Sequence, residues 1–234
     1  MASNYRPIAA SDFVKTMVKN LPIEDVGPAI LDRVSKIIWM AAPWRWTLAS
    51  FPEITLASNT QDYTVALPND FLYVVTASIT DSTTGESGRP ISVSPVLPTN
   101  VGAIGFPNEI AVTGTAGGSG TARVRPKPGT ISGATLKIYS LYKKVAPTIT
   151  NRNQATAGVL VMDDEWFWVY ESGVLWLAYA YADDQRAGAA TMTSTGQWQF
   201  SGQRGVFEAN LAVMKQREKM PDVSIFPATQ TADK

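Results

Sequence analysis

The chain of 234 residues contains neither histidine nor cysteine. Without cysteine there is no disulfide, no thiolate zinc site and no thiol nucleophile. Without histidine, imidazole-based triads and nearly all imidazole metal sites are excluded. Net charge is missing too: 20 Lys and Arg balance 20 Asp and Glu, so nothing marks a chain-wide polyanion binder. No long apolar run occurs. The greasiest window, Trp166 to Ala182, is interrupted by Glu171 and flanked by acids, a poor match to a membrane span of about 20 apolar residues. Arg6, Asp12, Lys15 and Lys19 leave no apolar core of signal-peptide length near the start. The expectation is therefore no membrane, and assembly in a cytoplasm-like compartment. What is present is a 45% hydrophobic share with 10% aromatics, enough for a folded core without covalent cross-links.

Three textures follow one another. Residues 11–42 show helical spacing: a short helix with Phe13, Val14, Met17 and Val18 ends at Pro22. A second, opening near Asp25 or Gly27, carries Val26, Ile30, Val34, Ile37, Ile38 and Ala41 on one stripe. From residue 44 to about 145, short β-rich runs alternate with Pro, Gly, Asn, Ser and Thr. Leu136, Ile138, Ser140 and Tyr142 fall on one face of such a run, and Lys137, Tyr139, Leu141 and Lys143 on the other. Residues 163–219 return to helix, with Asp163 as N-cap and Asp164 and Glu165 in the first turn. Ser194 and Gln197 fit a capping box for a last helix carried by Phe200, Phe207, Leu211 and Met214. This order predicts an α+β fold. Residues 1–43 and 159–220 would form a discontinuous helical bundle, 44–158 an inserted antiparallel β-sandwich or barrel-like domain, and 221–234 a flexible tail.

Catalytic signatures are sparse. Asp163-Asp164-Glu165 and Asp183-Asp184 are the acidic clusters, and paired carboxylates can run glycoside hydrolysis. Both lie at helix ends, where carboxylates serve as caps or solvated termini; Asp183-Asp184 at a C-terminus needs a cation such as Arg186. Gly114 to Gly120 lacks the Lys-Ser/Thr of a phosphate-binding loop and is followed by a β run. The reading is no enzyme, no metal and no cofactor.

Charge is segregated along the chain. Residues 89–152 hold eight bases against Glu109 alone, whereas residues 163–184 hold six acids and no base. Such a chain is matched to another copy, a partner or a polyanion. Arg123 and Arg125 share a strand face with Lys127 close by, a basic set facing a partner or DNA. Trp166, Trp168 and Trp176, with Asp163, Asp164, Lys143 and Lys144, are the expected inter-subunit residues, because large aromatics are enriched at interface centres.

Several motifs occur in a telling order. They are Pro43-Trp44-Arg45-Trp46, then Gln61-Asp62-Tyr63 through Leu67-Pro68-Asn69-Asp70-Phe71-Leu72, then Pro107-Asn108-Glu109-Ile110. Arg125-Pro126-Lys127-Pro128-Gly129 and Leu136-Lys137-Ile138-Tyr139 follow, and last come Glu165-Trp166, Tyr170-Glu171-Ser172-Gly173 and Ala182-Asp183-Asp184-Gln185-Arg186-Ala187. The series resembles head-to-tail adaptor proteins of tailed bacteriophages, of the tail tubular protein A type found in short-tailed phages, over residues 11–219. The resemblance implies a structural virion protein at the head–tail junction. It would form a ring of twelve copies beneath the portal protein and link it to the tail nozzle protein, with double-stranded DNA passing unread through the bore. It also implies that the C-terminal segment reaches the portal, making Val223, Ile225 and Phe226 the expected portal contacts. A tail-associated β-rich module binding a receptor or glycan is the alternative; it should expose Trp or Tyr on the sheet loops, whereas most Trp residues sit in predicted helices.

Overall fold

The computed structural model describes residues 23–81, 83, 88–97, 103–131, 135–150, 162 and 164–218, the side chains of 23–27 and 164 excepted. These fall into two compact units, residues 23–47 with 146–218, and residues 48–145.

In the first unit, helix α1 (Ile23–Ala41) presents Ile30, Leu31, Val34 and Ile38 inward. Helix α2 (Phe167–Tyr181) follows a 3-10 turn, Asp164–Trp166, and buries residues around its whole circumference. Helix α3 (Gly202–Arg217) buries Phe207, Leu211 and Met214 along one stripe. A helix that is apolar all round must be covered on several sides, and Gly173 makes this possible for α2. A Cβ there would lie 2.7 Å from Val34 Cγ1 and 2.9 Å from Phe207 Cε2, so α1 and α3 both close onto the same glycine. Polar tips are satisfied inside the unit: Tyr170 Oη donates to the Leu31 carbonyl at 3.0 Å, and the Ile149 N–H donates to Asp32 at 2.8 Å.

The second unit is one curled sheet, half of a barrel. Its strands are β1 (Leu48–Ser50), β2 (Ile54–Thr55), β3 (Asp62–Ala66), β4 (Phe71–Asp81), β5 (Arg89–Ser94), β7 (Glu109–Gly114), β8 (Ser119–Arg125) and β10 (Leu136–Lys144). Their order is β1-β10-β4-β5-β7-β8-β3, with β2 also on β10. Two-residue strands β6 (Ile104–Gly105) and β9 (Lys127–Pro128) form a separate parallel pair. Alternation supplies the core: Ile138, Tyr142, Val74, Ala77, Ile79, Ile91, Ile110, Ala122 and Val124 point inward with Phe51 and Phe71. Tyr142 donates to Asp70 at 2.7 Å, and burial together with that contact pushes its phenol up to about 12. Two extra residues in β4, Val75 and Leu72, interrupt its register with β10 and mark β-bulges.

This architecture overturns the expected helical bundle with an inserted antiparallel sandwich. The described residues are mostly β, with three α-helices and a single large mixed sheet. The β runs join edge to edge instead of stacking as two layers. The sheet is mixed because the connection from β5 returns β7 in the same direction beside it. A further piece assigned to helix is strand: β11 (Ala190–Met192) and β12 (Trp198–Phe200) pair as an antiparallel hairpin. Ser194 therefore lies in a hairpin turn, not at a helix start, and Ser201 is the N-cap position of α3. The predicted helix before Pro22, the cap at Asp163 and the tail beyond 220 lie outside the described residues.

Candidate interaction surfaces

The hairpin β11–β12 is built from its turn outward. Gly196 takes a φ of 77°, and Thr193 closes the turn, its N–H donating to the Gln197 carbonyl at 2.8 Å. At the base, Gly188 and Gly202 cross with positive φ; a Cβ on Gly188 would overlap the Ser201 carbonyl. Ser201 N–H donates to the Ala189 carbonyl, and Ala189 N–H to Ser201 Oγ, both at 3.0 Å. Arg204 lies over the rings of Phe200 and Trp176, 4.6 and 5.3 Å from their centroids, and Trp176 stacks on Phe207. The arm is anchored to α2 and α3. Further out, Met192 and Trp198 face each other across the strands and are 60% and 59% exposed. From Ala187 to Gln203 the sequence carries no charged residue.

In the sheet unit, a groove of about 270 Å³ is lined by Phe106, Pro107, Pro128, Ile131 and Leu136 among others. Gly105 and Pro128 of the β6–β9 pair also line it, and the pair is held by Gly129 N–H to the Gly105 carbonyl at 3.2 Å and Asn59 N–H to the Pro128 carbonyl at 2.9 Å. Arg89 sits 5.0 Å from the centroid of Phe106. Away from the core, one sheet face exposes Tyr73, Tyr139 and Leu141 beside a Lys137–Glu53 ion pair of 2.8 Å.

The predicted interface residues separate on this frame. Trp166 is a core residue, 2% exposed, and its indole N–H donates to Glu218 at 2.6 Å. That burial and that bond complete its surface within the unit, which corrects its assignment to an interface. Trp176 is half-buried under Arg204, while Trp168 keeps an exposed edge. Lys143 is also corrected: at 1% exposure it cannot meet a neighbour, and burial pushes its ammonium down to about 8. Lys144 is half-buried. Arg123 grips Asp62 through Nε at 2.6 Å and Nη2 at 2.9 Å, holding that carboxyl below its ordinary range. Arg125 stands opposite Glu109 in the β7–β8 register, and Lys127 is half-buried in β9. Arg123 and Arg125 thus have acidic neighbours on their own sheet, which weakens the set as a phosphate track. Asp163, the Asp164 side chain, Val223, Ile225 and Phe226 lie outside the described residues.

Asp184 meets its cation within the chain. Arg186 pairs with it through the guanidinium and its backbone N–H, lowering the carboxyl to about 2. Among the described residues no group of three or more acidic side chains is placed to hold a metal, and no helix is long and apolar enough to cross a membrane. Sequence reasoning missed Trp198, the most exposed of the tryptophans. The signal was available: Thr191, Thr193, Gln197 and Gln199 alternate with Met192, Trp198 and Phe200. No protein-family model matches the chain, and no curated protein matches it.

Proposed function

We propose that this chain is a structural virion protein, a head-to-tail adaptor. It assembles as a ring of twelve copies beneath a phage portal, connects it to the tail nozzle and lets double-stranded DNA pass through the bore. The observation that carries the reading is the anchored, charge-free hairpin with Trp198 and Met192 held out in solvent. Aromatic and aliphatic surface of this kind contributes nothing to its own unit and is what an assembly contact uses. The order of motifs supplies the rest. Residues 221–234, with Val223, Ile225 and Phe226, are assigned to the portal on the same reading. Negative-stain imaging of the chain mixed with its portal tests it: rings capping the portal are expected, and truncation after Met220 should abolish them. A chain that stays monomeric beside portal would refute the proposal.

A glycan-binding tail module is the second reading, favoured by Tyr73 and Tyr139 exposed on one sheet face. Specific glycan-array binding lost in Tyr139→Ala, with portal ignored, would select it instead.

A further inference from the structure

Two surfaces of this chain complement each other. The hairpin holds Trp198 and Met192 outward from a base fixed by Gly188, Gly202 and the Phe200–Arg204–Trp176 stack. A tryptophan on a fixed arm has little freedom left to lose on binding, the circumstance in which such a side chain contributes most. The groove beside β6 and β9, about 270 Å³, is smaller than the roughly 300–1,000 Å³ of small-molecule sites and suits one large apolar side chain. No ionisable residue occurs from Ala187 to Gln203 and none lines the groove, and the cations beside them, Arg204 at the hairpin base and Arg89 at Phe106, lie over aromatic rings. A charge set on the apolar residues themselves would lose hydration without a compensating contact. Each surface therefore calls for an uncharged apolar partner, and each is that partner for the other.

We propose that Trp198 of one copy seats in the groove lined by Phe106, Pro107, Pro128, Ile131 and Leu136 of the next copy, with Met192 covering the rim at Ile104. Knob and hole are different patches, so the contact is heterologous, the kind that repeats from copy to copy around a ring. The inference rests on the adaptor reading for the presence of neighbouring copies, and it names the lateral contact that the reading leaves open.

The lack of native cysteine makes the test specific. Trp198→Cys is labelled with a benzophenone maleimide, mixed with isotopically distinct unlabelled chain, and irradiated at high concentration with and without portal, while particle mass is recorded in parallel. The expected product joins two copies, with the attachment mapped to residues 105–107, 128–131 or 136. Absence of an intermolecular product, attachment elsewhere, or attachment within the same copy overturns the contact. If rings nevertheless appear by mass, the adaptor reading stands and the lateral contact lies elsewhere. If the mapped product forms but portal is ignored, the contact stands and the adaptor reading falls. Trp198→Ala should weaken self-association about thirty-fold or more at an unchanged melting temperature, and added salt should leave the parent's association intact. Undiminished association in Trp198→Ala, or dissolution by salt, overturns the proposal as well.

Discussion

In the sheet unit the core is drawn from alternate positions of each strand, so Ile138, Ser140 and Tyr142 are buried while Tyr139 and Leu141 between them are exposed. In the helical unit the central helix α2 buries Phe167, Val169, Tyr170, Val174, Leu175, Leu177 and Tyr179 with no single inward stripe. Strand alternation says which side is wet, whereas an all-round apolar helix says only that something covers it. Here the cover is mostly internal. Trp166 and Tyr170 place their polar tips on Glu218 and the Leu31 carbonyl, so an aromatic load that suggests an interface is largely core.

The contrast can be broken most severely by emptying the sheet core. Ile110→Ala removes a fully buried side chain from β7 and should cost about 3–4 kcal/mol, read as a shift in the denaturant midpoint. The helical unit should instead be most sensitive to an addition. Gly173→Ala gains helix propensity but forces Val34 and Phe207 apart, for a net loss of about 1–2 kcal/mol by thermal unfolding. If the alanine variant is more stable than the parent, the close approach of α1 and α3 is not limiting.

In the sheet unit, Lys143 is buried near the end of β10. Its ammonium is held near 8 in the folded state against an ordinary value of 10.5, so the folded protein gives up this proton before the unfolded chain does. The cost of burying the charge is fully present below pH 8 and is relieved as pH rises from about 8 to 10.5. Lys143→Met should therefore flatten the rise in stability above pH 8, read as the melting temperature across pH 7 to 10.5. Stability that falls between pH 8 and pH 10 in the parent would contradict this placement. The smallest effect is expected at the exposed Arg123–Asp62 pair: Asp62→Asn should leave the melting temperature essentially unchanged.

Legibility in the sequence followed the same physics. The period-two alternation of residues 138–142 was readable from local pattern, as was the helical stripe from Ile30 to Ala41. Strand β5 was not, because Pro90 interrupts its pattern and its parallel neighbour β7 is set by the path of the chain between them. The hairpin at 190–200 was hidden by a capping-box coincidence, Ser194 with Gln197, that mimics a helix start. The interface assignment of Trp166 failed for a further reason: residue type shows that a side chain is large and apolar, whereas its burial depends on Glu218, 52 positions along the chain.

We propose that this chain builds a ring onto a portal. Mass photometry of the chain titrated into purified portal tests it most directly. Saturation at twelve copies per portal ring, lost when Trp198 is replaced by alanine, is the expected result. A portal whose mass never changes, beside a chain that remains a single copy at every concentration, would contradict it.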